Sequence, residues 1–447
     1  MDIQDETHLR LHVIIVGCGV GGLSAAHCLS QAGHSVTVVE SAHAFREVGT
    51  GIQISPNASR LLARWGLGDK LDELGVKPDG INLLRYDDGR VIGYRCLGNI
   101  ISRTYGAPYY NIHRADLHSM LLSLVATSPR VTIRLCSTVK KIDPIPNPNV
   151  NVTLTSGEVL AGDMIVGADG LKSLVRSIVS KSFDALTPAG DAAYRATIKA
   201  NDMLADTELS NLIDARETTI WMGPRRHVVG YPIKAKQEYN VVMLHPDDGS
   251  VNSWTAQGNV EQMRDSFKDF EPRVRKLLSL VNNPMKWRLM DCKPLDSWVH
   301  PDGRVVLLGD SCHPMLPYKA QGAAVALEDS AVLGALLSRL SDISDLSQSL
   351  RTYEHLRKGR ATKIQKDSRD NQYIFHLPDG PAQQARDLKL RAAMELELNL
   401  KRHGHDSSGQ ERIAKGSGFN ADQYSYDANK VVEQWREIHS EVVRKAV

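Results

Sequence analysis

The sequence predicts a doubly wound α/β fold, interrupted by a β-rich domain and followed by a helical C-terminal region. Three observations predict it. An apolar strand near the N-terminus passes through a glycine turn into a helix and a second apolar strand. From about Tyr194 to Leu244 the texture changes to short strands. With GRVVLLGDS and the helical stretch after it, the first pattern resumes. The expected units are 10–180, with a small excursion near 81–100 toward the other unit, then 181–285, 286–365 and a helical 366–447.

Each element follows from its own residues. LHVIIVG reads as a buried parallel strand, Gly22 to Ala32 as a helix ended by Gly33, and SVTVVE as the second strand. Helical patterning returns at ASRLLARWGL and ADLHSMLLSLVA. VTIRLCSTVKKI and VNVTLTS read as strands joined by the turn DPIPNPN, and GDMIVGADG as a strand entering a glycine turn. AYRATIKA, TTIWMGP, HVVGYPI and YNVVMLH form the inserted sheet, and a helical stretch follows at about Val260 to Val281. AQGAAVALEDSAVLGALLSRL reads as a long helix, and helical pieces such as QARDLKLRAAMELELNL and DANKVVEQWREIHSEV close the chain.

The bulk numbers exclude several classes. Over 447 residues the net charge is +2, which gives no clustered basic surface for nucleic acid or anionic lipid. No apolar run is long enough to span a membrane, and MDIQDETHLR is unlike a secretory signal. The six cysteines (Cys18, Cys28, Cys96, Cys136, Cys292 and Cys312) show no CxxC pair, which suits a reducing, cytoplasmic location.

Gly17, Gly19 and Gly22 form G-x-G-x-x-G between the first strand and its helix. The first glycine permits the tight turn, the second lets backbone approach a pyrophosphate, and the third lets helix and strand pack closely. Free N–H groups at the helix start favour phosphate, and Glu40 ends the second strand where a carboxylate can accept ribose hydroxyls. The motif alone leaves NAD and FAD open. Two later segments narrow it to FAD. Asp310, at the end of a strand, can accept hydrogen bonds from a polyol such as the ribityl chain, and the proline-flanked loop leads to Gln321, Gly322, Ala323 and Ala324 at a helix start. Small residues there let backbone approach an aromatic ring and stabilise negative charge on it. GADGLKSLVR supplies Asp169 and Gly170 in the other segment; a helix cap is the competing reading of Asp169.

In this order the three motifs resemble the single-component FAD-dependent aromatic-ring hydroxylases of the para-hydroxybenzoate hydroxylase class, over roughly residues 10–180 and 285–365. PNASRLLARWGL, IHRADLH, LPYKAQGA and IFHLPDG are similar to the salicylate hydroxylase-like branch of fungal type. The resemblance implies that Gly17, Gly19 and Gly22 meet the pyrophosphate, Glu40 the adenosine ribose, and Arg114 the phosphate or ribityl region. It also implies that Asp310 holds the ribityl chain and that Gly322 and Ala323 lie at the flavin. Asp169 and Gly170 would serve both FAD and the nicotinamide cofactor, with Gln53 and Arg46 as further contacts. For Arg114 a solvated helix-start cation is the alternative.

The implied reaction is the family's: NAD(P)H reduces FAD, and O2 then yields a flavin hydroperoxide that hydroxylates a phenolic or aromatic-acid substrate. A carboxylate ortho to the hydroxyl would open a decarboxylative variant of the same step. No second nucleotide fold is evident, so the nicotinamide is expected to dock transiently. An epoxidase, oxidase or halogenase on the same scaffold, or a non-catalytic flavin-fold protein, are the rivals; the W-x-W-x-I of halogenases is missing. The expected assembly is a monomer or homodimer.

The inserted sheet should roof the flavin, and its polar singletons are the catalytic candidates. Arg195, among apolar neighbours, either pairs with a protein acid or awaits an anionic substrate. His227 can accept a phenol proton, a role the resemblance also implies, or be a satisfied strand histidine. Tyr231 lines the pocket or packs in the core. Cys312 and His313 are adjacent on a loop with no third ligand nearby in sequence, so no metal is expected.

Overall fold

The computed structural model describes residues 8–45, 50–180, 186–250, 256–403 and 420–446. Its centre is a five-stranded parallel sheet in the order Val305–Leu307, Met164–Gly167, His12–Val16, Ser35–Val39, Val131–Arg134. Val13, Ile14, Ile15, Ile165 and Val166 are fully buried, as strands covered on both faces require. The helices Val20–Gln31 and Gly322–Leu337 pack on this sheet and on each other, with Ser24 Oγ 2.8 Å from Ser330 Oγ.

VTIRLCSTVKKI, expected as one strand, is two. Val131–Arg134 edges the central sheet, whereas Val139–Asp143 enters a separate three-stranded antiparallel sheet with Val150–Leu154 and Val159–Gly162. Cys136 between them sits at φ +54°, a left-handed turn that no continuous strand accommodates.

The second layer is an eight-stranded mixed sheet. Its order is Ala256–Gln257, Met285–Cys292, Leu186–Lys199, Glu238–Pro246, Arg226–Ile233, Glu217–Gly223, Gly80–Arg85, Val91–Cys96. The last two strands come from the N-terminal part, joined by the parallel pair Gly80–Arg85 with Glu217–Gly223. Met285–Cys292 also belongs here, paired with Leu186–Lys199, so the boundary expected at 285 falls one strand early. The helix expected at Val260 to Val281 is two, Val260–Ser266 and Pro272–Ser279, because Pro272 starts the second. Alternate residues of the sheet divide it. Tyr194, Ala196, Trp221, Val228, Val241 and Met243 pack against these helices, and the residues between them face the other way.

The C-terminal residues cover both layers. Glu397, on the helix Pro381–His403, accepts from Cys96 N–H (2.7 Å) and pairs with Arg95. Asp427 holds Arg64 in a bidentate pair (2.7 Å each) just before the helix Ala428–Ala446.

An ion network built on the fully buried Arg357, Glu328 and Asp329 ties the helix Gly322–Leu337 to the helix Leu346–Phe375. Arg357 meets Glu328 (2.7 Å) and Asp329 (2.8 Å), while Arg360 and Asn57 also bond Glu328 (2.7 Å each). Burial pushes both carboxyls up, but Arg360 and Arg357 hold Glu328 below its ordinary value, and His313 and Arg357 do so for Asp329. Carboxyls depressed in the fold stabilise it fully above their unfolded pKa near 4 and lose that contribution as pH falls through the folded values. Tm should therefore hold steady from neutral pH to about 5 and fall steeply below about 4; a scanning-calorimetry series with no acid limb down to that range would contradict this account.

Candidate active site

The glycine loop has the geometry its motif demands. Gly17 adopts φ +101°, and a Cβ there would sit 2.4 Å from Ala168 O. At Gly22 a Cβ would stand 2.0 Å from Gly17 O, so only glycine lets the helix seat on the loop. Around Gly19, by contrast, nothing lies within 4 Å of that position. Glu40 stands beside the loop, its Oε2 accepting from Cys18 N–H and its Oε1 from Ala42 N–H (2.9 Å each). Arg46 lies outside the described residues.

A cavity of about 510 Å³ opens between this loop and the eight-stranded sheet. Of the expected cofactor contacts, Gly19, Gln53, Arg114, Gly170, Asp310, Gly322 and Ala323 line it. Gly17, Gly22 and Glu40 shape the loop from behind. Asp169 is elsewhere engaged. It accepts from Ser173 Oγ (2.5 Å), Leu174 N–H (2.7 Å) and Val175 N–H (3.1 Å), which makes its side chain a cap of the helix Leu174–Val179. Arg114 begins the helix Arg114–Ala126, its backbone N–H donating to Thr50 O (2.9 Å) and its side chain exposed. Gln53 donates to Asn111 Oδ1 and Thr218 Oγ1 (3.3 Å each).

The opposite wall follows the strand Val305–Leu307 into a short turn at Gly309–Ser311. Asp310 is open to the cavity yet deep in the molecule. Burial raises its carboxyl, against the pull of His313, Arg114 and Arg176. Gln321 precedes the helix Gly322–Leu337 and is locked by Ser55 (2.8 Å) and Asn57 (3.1 Å), while the space at Gly322 is open to 3.8 Å. Two helix N-termini, a glycine cradle that a Cβ would narrow and a cavity-facing carboxylate suit a dinucleotide with a polyol-linked ring.

Sequence reasoning did not single out Arg176. Its guanidinium donates to Ser311 O (2.7 Å), Leu171 O (2.8 Å), Asp310 O (2.6 Å) and Gly170 O (3.3 Å), stapling the two cofactor-side loops together. Arg176→Lys keeps the charge but cannot reach four carbonyls at once. We expect FAD retention to weaken roughly tenfold, the loss of one or two charged hydrogen bonds, read as flavin content after extended dialysis.

The sheet face supplies the remaining wall. Arg195 and Val229 are both registered against Val242, and His227 against Met222 and Leu244, so these side chains fall on one face with Tyr231. Arg195 stacks its guanidinium 3.8 Å over the Trp287 ring and donates to Thr50 Oγ1 (3.3 Å). Its Nε has no partner. Burial lowers the guanidinium to about 10, Tyr231 opposing and Arg114 adding to the fall. His227 is buried, and its Nδ1 lies 2.8 Å from His376 Nε2. Tyr231 is buried on the same strand, and its hydroxyl is pushed well up by burial. Trp287, His376 and Tyr318 had no individual signal: the fold brings Tyr318 to the cavity wall and sets Trp287 against Arg195 and His376 against His227.

One premise about metals is corrected. Asp329 joins Cys312 and His313 as a third potential ligand, brought near by the helix rather than by sequence. Its carboxylate is taken by His313 (2.5 Å) and Arg357 (2.8 Å), and Cys312 Sγ donates to Gly309 O (3.3 Å), so the cluster reads as a buried ion pair. Among the described residues no helix is long and apolar enough to cross a membrane.

Comparison with known proteins agrees with this geometry. Residues 10–368 match the model of the FAD binding domain family. The chain is 39% identical to the FAD-dependent monooxygenase OpS4 of Beauveria bassiana (strain ARSEF 2860), over 84% of this chain and 88% of that protein. It is 30% identical to 3-hydroxybenzoate 6-hydroxylase of Klebsiella oxytoca, over 87% and 94%. A solved salicylate hydroxylase substrate complex superposes with a TM-score of 0.71 at 25% identity, covering 90% of this chain and 98% of that one. With the glycine cradle, the Asp310 wall and the sheet roof in one cavity, the chain belongs to the FAD-dependent aromatic-ring monooxygenases, enzymes that use NAD(P)H.

Proposed function

We propose that this enzyme hydroxylates a phenolic carboxylic acid held between the eight-stranded sheet and the flavin site. The observation that carries the reading is Arg195: a guanidinium that lines the cavity and stacks on Trp287, with no acid paired to it among the described residues. A buried cation without such an acid is costly, and a substrate carboxylate against its planar fork removes that cost. The names of two similar proteins, 3-hydroxybenzoate 6-hydroxylase and salicylate hydroxylase, are consistent with a hydroxybenzoate-like ligand.

In this reading Gly19 and the helix start at Val20 receive the pyrophosphate, Glu40 the ribose, Asp310 and Arg114 the ribityl region, and Gly322 and Ala323 the ring. Bound there, FAD supplies electron transfer from NAD(P)H and activation of O2. The chain's own work is positioning. Arg195 fixes the carboxylate, and Tyr231 sets the ring beside it. His227, with Nδ1 engaged by His376, turns Nε2 to the cavity as the acceptor of the phenol proton, which enriches the ring in electrons for attack. Apolar Val229, Val242 and Leu244 keep the chamber dry.

The test is NAD(P)H oxidation by the flavin-loaded enzyme, with product mass, across hydroxybenzoates and the matching phenols without a carboxylate. The acids should exceed the phenols by at least about tenfold in kcat/KM, the worth of one charged hydrogen bond. Equal stimulation by neutral phenols, or no added oxygen in any product, defeats the proposal.

A further inference from the structure

His227 is not an isolated base. Its Nδ1 meets His376 Nε2 at 2.8 Å, and His376 Nδ1 stands 3.4 Å from Asp191 Oδ2. Asp191 in turn accepts from the Tyr318 hydroxyl and from Gln372 Nε2 (2.6 Å). These residues come from four separate segments of the chain: the strands Leu186–Lys199 and Arg226–Ile233, the turn at Tyr318, and the end of the helix Leu346–Phe375. All five side chains are largely buried, and Tyr318 and Phe375 pack the His227 ring at centroid distances of 5.4 Å. A histidine kept only for packing needs no such chain of polar partners ending in a carboxylate.

We propose that His376 and Asp191 are positioning residues that form, with His227, a proton relay for the substrate phenol. This rests on the reading of His227 as the acceptor. The step balances without any redox partner. The substrate O–H bond breaks as an N–H bond forms at His227 Nε2. The proton on His227 Nδ1 passes to His376 Nε2, and the positive charge comes to rest on His376 beside the Asp191 carboxylate. Charge on His227 itself would sit among Tyr318, Phe375 and a second imidazole, and burial together with His376 already holds its pKa well below the ordinary value. On His376 the charge has a counter-ion. Burial pulls His376 down to about 4, Asp191 opposing and Arg225, whose backbone N–H donates to His376 O (3.0 Å), adding to the fall. A positioned carboxylate behind an imidazole fixes its tautomer and stabilises the imidazolium that forms. Coupled in this way, the pair titrates as one unit rather than as two histidines.

The test uses the flavin-loaded enzyme and 4-hydroxy-3-nitrobenzoate, whose phenolate absorbs visible light. The ionisation of the bound probe is titrated by difference absorbance in the wild type, Asp191→Asn, His376→Gln and His227→Asn. Both relay variants should make the bound phenol roughly tenfold less acidic, about one pKa unit, with affinity for the fully ionised probe changed less than about twofold. A purely structural role would instead weaken probe and flavin binding together and leave the ionisation where it was. Unchanged ionisation in both relay variants, with a shift in His227→Asn, overturns the relay and spares the proposed function. Ionisation unchanged in all three removes His227 as acceptor and the relay with it. The two relay variants break separate links, so if only one folds and holds flavin, its ionisation alone is read by the same criterion.

Discussion

Gly22→Ala should yield a protein that neither retains FAD nor matches the wild type in stability. The added Cβ would stand 2.0 Å from Gly17 O, where backbone cannot yield as a flexible side chain would. The helix Val20–Gln31 would have to lift from a loop that Gly17, at φ +101°, already turns as tightly as it can. Overpacking of this kind costs about 1–3 kcal/mol in stability, and the shifted helix start no longer aims its N–H groups at a pyrophosphate. Gly19→Ala is the informative companion, because nothing of the protein lies within 4 Å of its added Cβ. It should fold with an unchanged apoprotein Tm yet bind FAD at least roughly tenfold more weakly, since the methyl enters the open cradle. Apoprotein Tm and fluorescence titration with FAD separate the two. Equal behaviour of the pair would mean that the loop's role in this chain has been misread.

Arg195→Ala should be the most damaging change on the substrate side. It removes the cavity-facing cation with its Trp287 stack and leaves the flavin wall untouched. Loss of one partner from a desolvated, hydrogen-bonded charge pair costs about 2–5 kcal/mol, so kcat/KM for a phenolic acid should fall on the order of a hundredfold or more, mostly in KM. Flavin content should stay at the wild-type level. Arg195→Lys keeps a charge but loses the planar fork and much of the stacking, and should recover only part of the loss. A substrate lacking the carboxylate should be almost indifferent to either change. Parallel loss of flavin and activity would assign Arg195 to the cofactor instead.

Much of the fold was legible because its signals are local. The strand His12–Val16, the glycine turn and the helix after it are specified by consecutive residues, and so is the strand–loop–helix from Val305 to Leu337. Where the reading slipped, a single residue or a distant partner decided. Cys136 splits one apparent strand through a left-handed backbone. Strand Met285–Cys292 lies past the boundary expected at 285, and only its pairing with Leu186–Lys199 assigns it to the roof. Asp169 had two readings, cofactor contact and helix cap, and only its three nearby donors show the cap in place.

The site divides along the same line. Gly17, Gly19, Gly22, Glu40 and Asp310 could be named from the sequence, because phosphate and polyol recognition depends on backbone shape and one acid at each strand end. Arg195 and His227 were visible as polar residues on apolar strands, but whether each was paired could not be read from its neighbours. Tertiary structure buried the Arg195 Nε without a hydrogen-bond partner among the described residues and gave His227 a partner 149 residues away in His376. Arg176, ordinary in sequence, proved to clasp both cofactor-side loops. The sequence by itself determined that this chain folds to cradle a dinucleotide, since that cradle is built from contiguous residues. Which polar groups line the cavity, and with what charge behind them, was decided only when distant segments met around it. Desolvation and hydrogen-bond partnership, the two quantities that set their chemistry, exist only there.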